Sequence, residues 1–127
     1  MRSGGASHLG GWGESEAAAY LRKKGYQIVA SGYRSRFGEI DIIAKQGKTL
    51  VFIEVKTRKS SDFARPMQYV TPQKLSKLKR TAEQYIAQNE INCPARIDVI
   101  EIFAPEDLRE GMREINHIEN VFMEIKP

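Results

Sequence analysis

Apolar residues fall along this chain in two rhythms. Between Gly13 and Lys24 the period is about 3.6 residues: Ala17, Ala18 and Leu21 share one helical face with Glu14, at i+3, i+4 and i+7 from it. That spacing predicts a first helix, stopped by Gly25. Thr71-Pro72 predicts the start of a second, an N-cap followed by proline at N1. It should run to about Asn89 with Leu75, Leu78, Ala82, Tyr85 and Ile86 as its buried stripe. The other rhythm is that of strands. Short strands are expected at Tyr26–Ala30, Phe37–Ala44, Leu50–Val55, Ala95–Phe103 and His117–Ile125. The order is α, three strands, α, two strands, an α/β class with helices covering a central sheet. Residues 57–70 read as a long polar connection, of the kind that is often functional or mobile. Residues 105–114 read as a shorter one.

A chain of 127 residues fits one domain, expected over residues 13–127 behind a flexible tail of residues 1–12. It holds one cysteine, Cys93, and two distant histidines, His8 and His117. These build neither an internal disulfide nor an ordinary zinc site. A metal here would take oxygen ligands, which points to Mg²⁺ or Mn²⁺. No apolar run approaches the roughly 20 residues that span a bilayer. With no signal-peptide core either, no membrane association and a cytoplasmic location are expected. Charge is unevenly spread. Residues 1–80 carry 16 lysines and arginines against 6 acids, and residues 81–127 carry 4 against 10. A basic front suits a polyanion, although solubility alone would explain it as well.

The acids of that basic part stand in an informative place. With a turn at Gln46-Gly47, cross-strand partners in the second hairpin have numbers summing to 93, so Asp41 faces Phe52 and Glu39 faces Glu54. Period-two alternation then puts Glu39, Asp41, Phe52, Glu54 and Lys56 on one side, and Ile40, Ile42, Val51, Ile53 and Val55 on the other. Diagonal neighbours lie roughly 7–8 Å apart, close enough for two carboxylates to share a cation. Like charges at that spacing destabilise a hairpin, and partial burial makes ionisation costlier. A hard dication removes the conflict. A solvent-facing, salt-bridged strand is the plainer alternative. Glu14 lies on the apolar stripe of the first helix, where it either complements the helix dipole or joins the acidic group.

Lys74 lies in the first turn of the second helix, where a cation opposes the dipole. A phosphate there would meet backbone N–H groups, the positive dipole end and Lys74, with Gln73 and Lys77 beside them. Arg34, Arg36, Arg58, Lys59 and Arg65 cluster in sequence around the hairpin. They are candidates for phosphate contacts that position a nucleic acid without reading its bases.

Asp41, a spacer and Glu54-Val55-Lys56 resemble the PD-(D/E)xK motif of restriction-endonuclease-like nucleases, with Ile40 where that motif has proline. The chain resembles more closely the YraN family of uncharacterised bacterial proteins, from about Leu9 to Phe103. Gly38-Glu39-Ile40-Asp41 and Phe52-Ile53-Glu54-Val55-Lys56-Thr57-Arg58 carry most of that likeness, and Gly13-Glu14 and Arg96-Ile97-Asp98-Val99 add to it. That family is similar in turn to archaeal Holliday-junction resolvases. The resemblance implies a restriction-endonuclease-like fold with a mixed five-stranded sheet, magnesium dependence and hydrolysis of DNA phosphodiesters. It implies catalytic roles for Glu14, Asp41, Glu54 and Lys56, with Asp41 and Glu54 on the metal and Glu39 or Glu14 joining directly or through water. A homodimer would suit a junction with two equivalent cuts. Two rivals stand beside the nuclease: a nucleic-acid-binding module that does not cut, and a protein-interaction domain using the acidic rear half.

Overall fold

The structure, a computed structural model, describes residues 8–59, 71–105 and 113–121. The elements are α1 (His8–Lys23), β1 (Gln27–Ser35), β2 (Gly38–Gln46), β3 (Thr49–Lys59), α2 (Pro72–Gln88), β4 (Ala95–Ala104) and β5 (Glu114–Ile118). The class and order are those expected. α1 begins at His8, upstream of Gly13 and inside the stretch read as a tail; residues 1–7 lie outside the described residues. Of the 57–70 connection, residues 57–59 are strand and residues 60–70, Arg65 among them, lie outside the described residues. Among the described residues no helix is long and apolar enough to cross a membrane.

The sheet has five strands in the order β1-β2-β3-β4-β5. β3 and β4 are parallel, joined across α2, and the other neighbours are antiparallel. Each helix covers one face. Ala17 and Leu21 of α1 pack with Ile42, Ala44, Val51, Ile53, Ile100 and Ile102. Leu75, Leu78 and Ala82 of α2 pack with Ile40, Ile43, Leu50, Phe52 and Ile97. β3 is thus apolar on both sides, as a strand in the middle of a covered sheet must be.

Two details differ from expectation, and both shape the site. The β2–β3 turn is Gly47-Lys48, not Gln46-Gly47, so Gln46 faces Thr49 and Ile42 faces Ile53. Gly47 has φ 59°, the left-handed value that the first central residue of a tight hairpin turn demands. Partner numbers sum to 95, a slip of two, which moves partners but preserves faces. Glu39 therefore does not oppose Glu54; it pairs with Arg34 of β1. Secondly, β2 breaks its own alternation. Ile40 and Ile43 both pack toward α2, so Ile40 is not on the side of Ile42. The irregularity falls on Asp41.

β5 also lies earlier than His117–Ile125. It ends at Ile118 because Asn120 takes a left-handed φ of 56° and gives its N–H to the Asp98 carboxylate instead of a ladder partner. Residues 122–127 lie outside the described residues.

The start of α1 presses on β3 at Gly13, where an added Cβ would collide with the Thr57 hydroxyl. Glycine at this point lets α1 lie close to the sheet and carries Glu14 toward Asp41. A Gly13→Ala substitution should destabilise the fold by about 1–3 kcal/mol through forced separation, read as a lower urea midpoint at unchanged m-value.

Candidate active site

Asp41 sits where β2 and β3 part. The backbone ladder reaches Ile42 and Ile53, and the next link is made by a side chain: the Val55 N–H donates to Asp41 Oδ2 at 2.7 Å. A carboxylate in that position fills the fork between two strands. It borders a cavity on the α2 side with Glu39, Glu54 and Lys74, and a second on the α1 side with Glu14 and Arg22. Glu39, Asp41 and Glu54 thus border one space on the α2 side, and Asp41 is reached from the α1 side as well.

The α2-side cavity holds about 430 Å³ and is lined by Gly38, Glu39, Asp41, Glu54, Thr71, Gln73, Lys74, Lys77 and Leu78. Glu54 is buried at 8% exposure. Lys74 Nζ lies 3.2 Å and Lys56 Nζ 3.9 Å from Glu54 Oε2. Thr71 caps α2 by accepting the Lys74 N–H at 3.1 Å, which aims the first turn of the helix at the carboxylates.

The electrostatics follow from this crowding. Burial pushes the Asp41 carboxyl up to about 7, helped by the nearby Glu54, Glu14 and Glu39 and opposed by the Val55 bond. Burial draws Lys56 below the ordinary lysine value, the adjacent Lys74 ammonium lowers it further, and Glu54 and Asp41 pull the other way. Burial is the largest influence on Lys74 and works against its charge, but Glu54, Lys56 and Asp41 together outweigh it and hold that ammonium above the ordinary value. One lysine is therefore tuned toward the neutral amine and its neighbour toward the cation, in contact with the same carboxylate.

The other expected residues are spread more widely. Glu39 is at the cavity rim with Arg34 Nε 3.8 Å away, an exposed pair. Glu14 is on the far side of Asp41 from Glu54. Gln73 and Lys77 join Lys74 in lining the cavity. Lys59 is exposed at the end of β3. Arg36 leans on the Phe37 ring in the β1–β2 turn. Arg58 is turned inward, with its Nε 3.1 Å from the buried Glu101, which also accepts from Asn116 Nδ2 at 2.8 Å.

The donor set suits a hard cation in part. Asp41 and Glu54 offer two carboxylates to one cavity, and the ammonium of Lys74 already stands on Glu54 as a positive charge. Among the described residues no three His, Cys, Asp or Glu side chains converge tightly enough to enclose an ion. Magnesium takes one or two carboxylates and completes its octahedron with water and phosphate oxygens, which fits an incomplete protein shell of this kind.

A second polar cluster escaped the sequence reading. Asp98 is fully buried in β4 on the α1 face. It accepts from Arg96 Nε at 3.0 Å, His117 Nε2 at 2.8 Å and the Asn120 N–H at 2.9 Å. His117 Nδ1 in turn meets the Tyr20 hydroxyl at 3.0 Å, and Arg96 Nη2 donates to the Tyr26 hydroxyl at 2.9 Å. Its sequence signal was a lone acid inside the apolar run Ile97-Asp98-Val99-Ile100.

Comparison with known proteins places these residues in a family setting. The profile of the uncharacterised protein family UPF0102 matches residues 13–102. A UPF0102 protein of Caldicellulosiruptor saccharolyticus is 42% identical over 115 residues, covering 90% of this chain and 96% of its own. One from Alkaliphilus oremlandii is 44% identical over 117 residues, covering 90% and 97%. One from Prosthecochloris aestuarii is 42% identical over 119 residues, covering 90% and 92%.

Proposed function

We propose that this chain, which belongs to the uncharacterised protein family UPF0102, is a metal-dependent endonuclease that hydrolyses phosphodiester bonds in DNA. YraN, the family that the sequence resembles, is another name for this one. The observation that carries the proposal is the Asp41–Glu54–Lys56–Lys74 cluster at the fork of β2 and β3. It sets two crowded carboxylates and Lys74 around one open cavity, with Lys56 reaching the same Glu54 carboxylate from outside the cavity lining. A carboxyl raised to about 7 beside a second carboxylate is costly to a fold and useful to a cation.

Asp41 and Glu54 would hold a Mg²⁺ or Mn²⁺ ion. When bound, such an ion supplies Lewis-acid stabilisation of the phosphoryl oxygens and lowers the pKa of water. The rest is work for the chain. Lys74 and the α2 N-terminus bind the phosphate, moving Lys74 off Glu54 as the ligand enters. Gln73 and Lys77 flank it. Lys56, already drawn toward the neutral amine, orients the attacking water and takes its proton at Nζ. The Val55 N–H holds Asp41 Oδ2, so Oδ1 would be the oxygen offered to the ion. Glu14, on the opposite side of the same carboxylate, acts through Asp41 or through water. Exposed Arg34 and Lys59 add sequence-independent attraction for the backbone.

One observation favours a second reading, a nucleic-acid-binding module without cleavage. Lys74 neutralises Glu54 with no metal needed. A panel of junction, flap, nicked, single-stranded and duplex DNA, each with Mg²⁺, Mn²⁺ or EDTA, separates the two. The nuclease cuts at least one substrate with Mg²⁺ and none with EDTA, and Glu54→Ala lowers the rate about a thousandfold or more. Equal cutting by wild type and Glu54→Ala would mark a contaminant. Salt-sensitive binding with no cutting anywhere would leave the binding module.

A further inference from the structure

We infer that the groove at the β1–β2 turn, built on Phe37 with Arg36 and Arg80, seats one unpaired nucleotide of the strand whose phosphate enters the acidic cavity. The inference deepens the reading just given and names its substrate class: DNA with an unstacked base within a few positions of the cut, as at a flap, a gap or a branch.

Arg36 and Phe37 form the tip of the β1–β2 turn, and the Phe37 N–H donates to Ser35 Oγ at 3.0 Å, which fixes the turn. The Arg36 guanidinium carbon is 5.1 Å from the Phe37 ring centroid, and that of Arg80, from α2, is 5.8 Å. Two like charges thus share one ring. Among the described residues neither has an ion-pair partner, although Glu83 lines the same groove. The ring attracts both cations, but it does not neutralise them. Planar guanidinium groups held in this way have two uses for a nucleotide: their faces stack on a base and their edges grip a phosphate.

Gln84 supplies a different complementarity. It lines the groove, and its amide oxygen is shielded from water and has no hydrogen-bond partner among the described residues. An acceptor of that kind wants an N–H donor. A base edge offers one, and a bare phosphate does not. The groove holds about 570 Å³, the scale of a single small ligand and not of a duplex. α2 ties it to the acidic cavity. Lys74, Lys77 and Arg80 follow one another at three-residue spacing, and Arg80 lies about 9 Å along the axis from Lys74 at the helical rise. That is about two to three nucleotide rises along one strand. A base stacked within a duplex has no free face to give to Arg36, Phe37 or Arg80, so the occupant must be unpaired.

The test is metal-free binding, in EDTA, followed by fluorescence anisotropy. Three probes of equal length are compared: single-stranded oligothymidylate, a strand of abasic sugars with the same phosphates, and a fully paired duplex. Wild type is expected to bind the base-bearing strand about tenfold more tightly than the abasic one. Phe37→Leu and Arg80→Lys should each cut that preference to about threefold or less while leaving affinity for the abasic strand unchanged. Arg80→Lys keeps the charge on an exposed helix position and carries the test if Phe37→Leu fails to fold. No preference for bases in the wild type, or the full preference in Arg80→Lys, would overturn the inference. Because nothing is cut in EDTA, base preference without cleavage in the substrate panel would sink the nuclease reading and leave this groove standing.

Discussion

An Asp41→Asn variant is expected to lose Mg²⁺-dependent cleavage by about a thousandfold or more while melting at a higher temperature than wild type above pH 7. The two effects share a cause. The Asp41 carboxyl is held at about 7 in the folded chain, against an ordinary value of 3.8. Between about pH 4 and pH 7 the folded protein therefore keeps a proton that the unfolded chain has released. Stability falls as pH rises through that window, the penalty is complete above pH 7, and below about pH 4 it vanishes because both states are protonated. Asparagine cannot ionise and escapes the penalty, while its side-chain oxygen still accepts the Val55 N–H. The shift sets a ceiling of about 4 kcal/mol, and solvent reaching the open cavity lowers the expected gain to about 1–2 kcal/mol.

Thermal melts of both proteins at pH 4.5 and pH 8.0, in EDTA, check the sign. The variant should gain several degrees at pH 8.0 and much less at pH 4.5. Adding Mg²⁺ should raise the wild-type melting temperature and leave the variant unmoved, since only the wild type offers the second carboxylate. A variant that melts lower than wild type at pH 8.0 would mean that Asp41 is a structural anchor and not a strained ligand. Function bought with stability is a familiar exchange at sites that crowd like charges.

What the chain disclosed beforehand, and what it withheld, divide along physical lines. The period-two and 3.6-residue patterns are local, so the elements, their order and the Thr71-Pro72 start of α2 were legible. The reading that puts Glu54 on the side of Phe52 survives the wrong register, because a slip of two residues preserves alternation. Pairing itself was less legible: either Gln46-Gly47 or Gly47-Lys48 makes a plausible turn with a left-handed glycine, and the pairing of Gln46 with Thr49 decides between them. The turn of Asp41 into the fork between strands was not legible, since it depends on Ile40 and Ile43 both seeking the α2 layer. Nor was the fate of Arg58. A cation beside a basic loop reads as a phosphate contact until the parallel partner strand brings buried Glu101 beneath it. Long-range pairing of this kind leaves no trace in a local pattern.

Asp98 is the strongest instance of that kind, and its removal should be the most damaging single change to the fold. Asp98→Ala is expected to destabilise the protein by about 3–5 kcal/mol, because it leaves the Arg96 charge and the His117 ring N–H without their acceptor in a buried place. Burial pushes the Asp98 carboxyl up, but the bonds from His117, Arg96 and the Asn120 N–H win and hold it below the ordinary value. Its contribution is present above the unfolded-chain value near 4 and is lost as pH falls through the lower folded value. The loss on substitution should therefore be largest at neutral pH and shrink in acid, the reverse of the Asp41 pattern. The melting temperature at pH 7 should drop by roughly 10–20 °C. Asp98 lies on the α1 face and Glu54 on the α2 face, so base-dependent DNA binding at low temperature should survive in the fraction that stays folded. A melting temperature within about 2 °C of wild type at pH 7 would show that the Tyr20–His117–Asp98–Arg96–Tyr26 chain does not hold α1 and β5 to the sheet. Retained stability together with lost cleavage would instead move this cluster into the working part of the molecule.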